Sequence, residues 1–320
     1  MNTQQTVVAD YSAAPSTIPA AYAGWRLDAA LAKLLPAFSR SRLQSWLKSG
    51  QLTVDGQPAD PKRKVLGGER ITVPADMPAE SSTVLPEDIA LTILFEDAHL
   101  LVIDKPAGLV VHPGSGNWSG TMMNALLHHA PQLADVPRAG IVHRLDKDTS
   151  GLLVVAKTLI AQTDLVRQLQ ARSVARRYLA LVHGRLERNG TIDAPIGRHP
   201  GHRTRMAVIN GSKGGGFARE ARTHYEVKES FEFATLVECR LETGRTHQIR
   251  VHMTELGYPL VGDLVYGKRR VADERLNAFQ RQALHAWRLG LIHPASRQAM
   301  AWESQLPDDF SSLLERLRHE

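Results

Sequence analysis

Cysteine is all but missing from this chain. Its 320 residues contain one, Cys239, so no disulfide can close within it. That residue lies in the apolar run LVECRL (236–241) and reads as a small buried side chain. A fold that relies on no disulfide suits a reducing compartment, and a cytoplasmic location is the expectation. No uncharged apolar run approaches 18 residues, so no membrane-spanning helix and no membrane partner are expected. The first 20 residues hold no Lys or Arg and no continuous apolar stretch, unlike a secretory signal. Residues 1–22, with their Ser, Thr, Gln and Pro, read as a disordered tail. There is no GxxxxGK[ST] loop and no GxGxxG opening a helix after a strand, and the Gly clusters at 114–120 and 210–216 read as flexible loops. CxxC, HExxH and GxSxG are all missing, which argues against thiol redox, zinc hydrolysis and an elbow serine. His143, Asp146 and Asp148 could in principle ligate a metal, but Arg144 and Lys147 interleave them and oppose a cation. His247 and His252 are five apart, a poor pair on one helix face. The expectation is neither metal nor cofactor.

What is present is ordinary globular material, 43% hydrophobic and 22% charged, long enough for about two domains. The net charge of +6 is mild, and its distribution is more informative. Residues 23–75 carry nine Lys/Arg against four acids, and residues 171–222 carry eleven against three. No basic residue lies between Arg70 and Lys105. There PADMPAESSTVLPED (74–88), rich in Pro, Ser and acids, marks a linker, taken as residues 76–90.

Before the linker, Leu27, Ala30, Leu31, Leu34 and Leu35 make one helical face that Pro36 ends. In SRSRLQSWLKSG, Ser39 or Ser41 offers an N-cap, Leu43, Trp46 and Leu47 form an apolar stripe, and Gly50 closes the helix. QLTVDGQPA then predicts a hairpin around Asp55-Gly56. Arg40, Arg42 and Lys48 fall off the apolar stripe; charge alone would make them a solvated face. The order helix, basic helix, DG hairpin resembles the S4 RNA-binding domain, which implies phosphate contacts by those three residues.

After the linker, residues 92–97, 99–105, 108–113, 151–157, 176–186, 221–230, 233–243 and 283–294 read as strands, and 120–130, 159–170 and 246–257 as helices. Strands outnumber helices and often follow one another directly. The fold class is therefore α+β, with a mixed, largely antiparallel sheet at 91–320 behind a small N-terminal domain at 23–75. HRLDKDTSGLL (143–153) is a charged turn-forming segment immediately before a buried strand, a place where catalytic groups concentrate. A lone loop Asp is more often a cap or turn former. In LETGRTHQIRVHM (241–253), Arg245 stands at a strand-to-helix junction, either as a solvated residue or as the fixed partner of a buried carboxylate.

HRLDKDTSGLL, taken with LLVIDKPAGLVVHPG (100–114), RRYLALVHG (176–184), GRTHQIRVHM (244–253) and PLVGDLVYG (259–267), resembles the pseudouridine synthases of the RluA family in order and spacing. With the S4-like block, the resemblance spans roughly residues 23 to 315. It implies an isomerase that converts uridine to pseudouridine in RNA without a cofactor. NALLHHAPQLADVPRAGIVHRLDKDTSG (124–151) and GRHPGHRTRMAV (197–208) point within the family to members acting on 23S ribosomal RNA, at the helix 69 stem-loop. Other rRNA or tRNA uridines, or a non-catalytic assembly factor, are the alternatives. By the same resemblance, Asp146 is the catalytic carboxylate, Arg245 its basic partner and Tyr178 the aromatic that stacks on the target base. Leu145 and Ile249 line the uracil pocket, and Arg144 holds the base out of its stack. Arg198, Arg203 and Arg205 lie near the substrate, on a basic wall formed by 171–222. The expected partner is 23S rRNA or a large-subunit precursor, bound by a monomer.

Overall fold

A computed structural model describes residues 17–35, 38, 40–73, 84–114, 117–202, 204–209, 218–267 and 271–319, without the side chains of Ser41 and Arg42. Ser39, residues 1–16 of the expected tail, residues 74–75 and residues 76–83 of the expected linker lie outside the described residues. The chain divides into two units, 1–83 and 84–320.

In the first unit, α1 (Leu27–Leu34) and α2 (Arg40–Ser49) turn their apolar stripes inward, burying Leu27, Ala30, Leu31, Leu43, Trp46 and Leu47. Phe38 packs edge-on against Trp46 at 4.8 Å. The DG turn forms, with Asp55 at φ 54° and Gly56 at φ 76°. Its strand β1 (Thr53–Val54), however, pairs with β2 (Ile71–Thr72), the chain making only a single bridge, Val54 to Gln57, across the turn itself. Pro58 and Pro61 in the following segment lack the N–H groups a second hairpin strand would need. The expected tail also ends earlier than residue 22. Ile18 is buried and donates its N–H to Glu69 O, because an apolar side chain here completes the small core.

The second unit is built on β3 (Thr92–Glu96), β4 (Leu100–Lys105), α3 (Met122–His129), β5 (Ser150–Ala156), α4 (Leu159–Gln170), β6 (Ala175–His183), β7 (Gly190–Asp193), β8 (Ile196–Arg198), β9 (Met206–Val208), β10 (Arg222–Ser230), β11 (Ala234–Leu241), α5 (Gln248–Glu255), α6 (Glu274–Asn277), β12 (Leu284–Ile292), β13 (Ala299–Glu303) and α7 (Asp308–Arg318). One sheet runs β3-β4-β5-β12-β6-β11-β10-β7, with β13 added to β12; β5 and β12 are parallel and the other pairs antiparallel. β8 and β9 form a separate hairpin. Residues 108–113, expected as a strand, make only the bridge Val110 to Thr121. Leu109 turns its carbonyl to the Lys105 ammonium, as does Pro106 just before the run. Residues 84–90, expected as linker, belong to this unit: Asn124 donates to Leu85 O, and the Glu87 carboxylate accepts from Gly120 N–H.

The buried faces of β4, β5, β6 and β11 meet α3 and α5 in one apolar cluster that includes Leu145, Tyr178 and Ile249. Cys239 is fully buried there, and burial pushes its thiol up to about 12, which leaves it protonated and inert. β5 approaches β12 closely at Gly151, whose φ is 108°; a Cβ there would stand 2.3 Å from Ala286 O. Only glycine satisfies both conditions, and that contact fixes where the loop entering β5 projects.

Candidate active site

The loop 143–149 carries the charge-rich motif. A turn closes it, with Thr149 N–H donating to Asp146 O at 3.1 Å. Lys105, fully buried at the end of β4, donates to the carbonyls of Pro106 (2.7 Å), Leu109 (2.9 Å) and Lys147 (2.9 Å). Burial lowers its pKa to about 8, opposed by Asp148 and Asp146. From the other side, Arg281 donates to Asp148 O and Gln282 to the Thr149 hydroxyl. The loop is thus held by side chains from two separate strands and their approaches.

Asp146 Oδ2 accepts from Arg250 Nη1 at 3.1 Å. Arg250 also grips Asp263 with both forks, Nε to Oδ2 at 2.7 Å and Nη2 to Oδ1 at 2.9 Å. Asp263 Oδ1 accepts the N–H groups of Val265 and Tyr266 as well. Burial costs both side chains, yet their pairing holds the Asp263 carboxyl below its ordinary range and the Arg250 guanidinium above its own. His247, at φ 58° before α5, puts Nε2 3.9 Å from Asp146 Oδ1 and Nδ1 2.9 Å from the Tyr266 hydroxyl.

This corrects the pairing expected from the sequence. Arg245 does not meet Asp146; its Nε donates to Glu220 O at 2.9 Å. The turn at its position is clamped by Gln248, whose Oε1 accepts from Arg245 N–H and the Thr243 hydroxyl, so Arg245 departs before α5 begins. Arg250 is the third residue of α5, within its buried first half, and there it meets the carboxylate. Sequence reasoning missed Arg250, Asp263, His247 and Tyr266. The available signal was Arg250 set between Ile249 and Val251 in a helix that also carries Met253, since a buried Arg demands an anionic partner.

Two cavities meet at Asp146. A cleft of about 560 Å³ is lined by Tyr178, Ile249, Arg245 and Arg176 among others. A second, of about 540 Å³, is lined by Lys147, Asn117 and Leu264 among others. Asp146, Arg144, Leu145, His112, His247 and Arg250 border both. Among the residues expected at the site, Asp146, Tyr178, Arg245, Arg144, Leu145 and Ile249 are therefore brought together. Burial pushes the Tyr178 phenol's pKa up. Arg198 and Arg205 sit exposed on the β8–β9 hairpin and line neither cavity. Arg203 lies outside the described residues.

Three of the eleven basic residues expected to form a wall over 171–222 are held by carboxylates. Arg172 pairs with Glu220 and Glu242, Arg177 with Glu238, and Arg222 with Asp193 and Glu242. In the first unit Arg40 is tied to Asp28, a buried carboxylate that Arg26 and Gln44 also serve, while Lys48 is exposed. Arg40 is thus anchored to Asp28 while its side chain stays about half exposed; the Arg42 side chain is outside the described residues. Also among the described residues, no three His, Cys, Asp or Glu side chains converge as a metal cage would require, and no helix is long and apolar enough to cross a membrane.

Residues 99–255 match the family model described as RNA pseudouridylate synthase, and residues 25–71 match the S4 domain. The chain is 59% identical to ribosomal large subunit pseudouridine synthase D of Nitrosomonas europaea over 95% of this chain and 87% of that one. The chain belongs to the RluA family of RNA pseudouridine synthases. The synthase is also 53% identical to the protein of the same name from Pseudomonas aeruginosa, over 95% of each chain. Among solved structures, human RNA pseudouridylate synthase domain containing 4 superposes with a TM-score of 0.56 at 28% identity, over 71% of the synthase and 93% of that chain. The α+β fold read from the strand-rich pattern and the S4 block ahead of it both stand. The loop that projects Asp146 and the helix that carries Arg250 fall within the matched catalytic region of the synthase.

Proposed function

We propose that this synthase isomerises uridines of large-subunit ribosomal RNA, in the helix 69 stem-loop of 23S rRNA, with Asp146 as the catalytic carboxylate. The observation that carries the reading is the Asp146 side chain standing where the two cavities meet, fixed through Arg250 to the buried Asp263. The names borne by its relatives support the substrate class.

The reaction breaks the N1–C1′ bond, turns the uracil and joins C5 to C1′; C5 loses a proton and N1 gains one. Atoms and oxidation state balance within the nucleotide, so side chains suffice for the chemistry. A target inside a helix is unreachable at C1′ and must be flipped out. The base then enters the cleft lined by Tyr178, Ile249 and Leu145, and C1′ comes to rest over Asp146. The carboxylate serves either as nucleophile at carbon or as base toward the sugar. Tyr178, its phenol held protonated by burial, packs against the uracil face.

The test is single-turnover modification of a helix 69 stem-loop by Asp146→Asn, with binding measured on the same RNA. If the carboxylate supplies about 4 kcal/mol to the transition state, the rate falls roughly a thousandfold. Binding stays close to wild type, since affinity resides in dispersed phosphate contacts. A variant within tenfold of the wild-type rate would remove Asp146 from the chemistry.

A further inference from the structure

Arg176 is the cleft's unexplained charge. The alternation of β6 puts Arg176, Tyr178 and Ala180 on one face, toward the cleft and the core, while Arg177 on the other face pairs with Glu238. Arg176 is only 7% exposed, yet it forms no salt bridge among the described residues. Its Nη2 donates to Glu242 O at 3.2 Å, and among the described residues that is the one hydrogen bond of its side chain. Its Nε is sealed without an acceptor, and its Nη1, which is not sealed, has none either. The charged and titratable groups that act on it are Tyr178 and Arg245, and it in turn acts on His143. His143 is neutral, its Nε2 accepting from Val154 N–H, and burial holds its pKa down to about 3. A desolvated guanidinium with no anion and two idle donors costs stability in the free protein, so its retention points to a ligand that supplies the acceptor. The cleft is shaped around it: a Cβ on Gly244 would stand 2.7 Å from Arg176 Nη1.

We propose that Arg176 is a specificity-determining residue whose Nη1 donates to O4 of the flipped uracil and thereby selects uracil over cytosine. The inference rests on the uridine chemistry proposed above. Its logic is positional. Arg176 lies two residues before Tyr178 on the same strand face, so a base packed on Tyr178 presents its edge to the guanidinium. A phosphate of the same nucleotide would be held at the cleft's open rim, away from a residue buried this deeply. Uracil offers an acceptor at position 4, where cytosine carries an amino donor. A donor fixed at the cleft wall pairs with the first and opposes the second, the kind of site that discriminates strongly because a wrong ligand leaves a buried donor unpaired.

The experiment compares full-length wild type with Arg176→Met on stem-loops carrying uridine, cytidine or 4-deoxyuridine at the target position. Affinity is read by competition against the uridine stem-loop. Wild type should bind the 4-deoxyuridine RNA about 10- to 100-fold more weakly than the uridine RNA, the worth of one charge-assisted hydrogen bond. In Arg176→Met the two RNAs should bind alike, and the cytidine RNA should gain relative to wild type. The side chain makes one hydrogen bond in the free protein, so the variant should melt no lower than wild type; Arg176→Leu provides a second apolar replacement. Equal wild-type affinity for uridine and 4-deoxyuridine RNA would overturn the inference, as would an unchanged preference in both variants. Uniform weakening of all three RNAs by the variants, the mark of a phosphate contact, would overturn it too. Wild-type conversion of uridine is scored in the same series. Failure of the parent reading therefore shows as no pseudouridine at all, and failure of this inference as product formed without dependence on O4.

Discussion

Replacing Arg250 by Met should separate the two arginines near the reaction centre. Arg250 is 6% exposed at its side chain and Asp263 is fully buried, so the substitution leaves Asp263 with only the Val265 and Tyr266 N–H groups. Breaking a buried pair from one side costs about 3–5 kcal/mol, because the orphaned charge stays desolvated. For a domain of 150–250 residues, each kcal/mol moves Tm by about 2–4 °C, so a fall of roughly 6–20 °C is expected. Arg245→Met removes a half-buried side chain with one backbone contact and should cost under about 1 kcal/mol. The sign of the pH dependence follows from Asp263, whose folded pKa is depressed. It contributes stability above the ordinary carboxylate range that is lost as pH falls through the folded pKa. Arg250→Met lacks that contribution, so its deficit is largest near neutrality and shrinks in acid. Asp263→Asn in the Arg250→Met background should recover much of the loss, since it removes the orphaned charge. Calorimetry across pH on the four proteins is the assay. Arg250→Met melting within 2 °C of wild type at pH 7, or Arg245→Met being the more damaging, would refute the assignment of the anchor.

Three further outcomes are expected. His143, neutral in the folded chain down to about pH 3, binds its proton in the unfolded chain near 6.5, so it contributes stability that is lost as pH falls through that window. Urea titrations between pH 7.5 and 5 should show a slope steeper in wild type than in His143→Gln by about 1.4 kcal/mol per pH unit once pH is well below 6.5, and parallel slopes would contradict this. Gly151→Ala should destabilise the second unit by about 2–4 kcal/mol in chemical denaturation, through the Ala286 O contact and the positive φ; a loss below 1 kcal/mol would mean that the β5–β12 approach can yield. Asp28→Asn should loosen the first unit by about 1–3 kcal/mol, because its carboxylate is covered mainly by its own donors Arg26, Arg40 and Gln44. Faster amide exchange in α1 and α2 is the readout, and unchanged exchange would deny the cluster a structural role.

Much of the architecture was legible because it obeys local rules. The apolar repeat at 159–170 gives α4 to the residue, and the unbroken apolar run after the motif gives β5, which is buried throughout. Strands β7, β8 and β9 escaped because three or four residues are too few to show a period. The 108–113 run looked like a strand by composition, but the Leu109 carbonyl within it and the Pro106 carbonyl before it turn to Lys105. Asp146 and Tyr178, singled out by the family resemblance and not by local pattern, both line the cleft, whereas the anion–cation pairing was misread. Arg245 and Arg250 are equally basic in sequence. Which one reaches the carboxylate depends on the left-handed His247 and on where α5 starts.

The internal ammonium of Lys105 has a consequence for who must adapt when enzyme and RNA meet. Its three carbonyl acceptors tie the Asp146 loop to the preceding strand, and Arg281 and Gln282 tie it from across the sheet. Such a loop has little freedom left to reshape itself around a guest, so the geometry at Asp146 is settled before any encounter. Under the proposed reaction, the deformation then falls on the nucleic acid, which must surrender its stacking to fit. Nucleotides that are already loosely held in hairpin loops cost least to extract, and a rigid host of this kind favours them over the same base locked in a duplex.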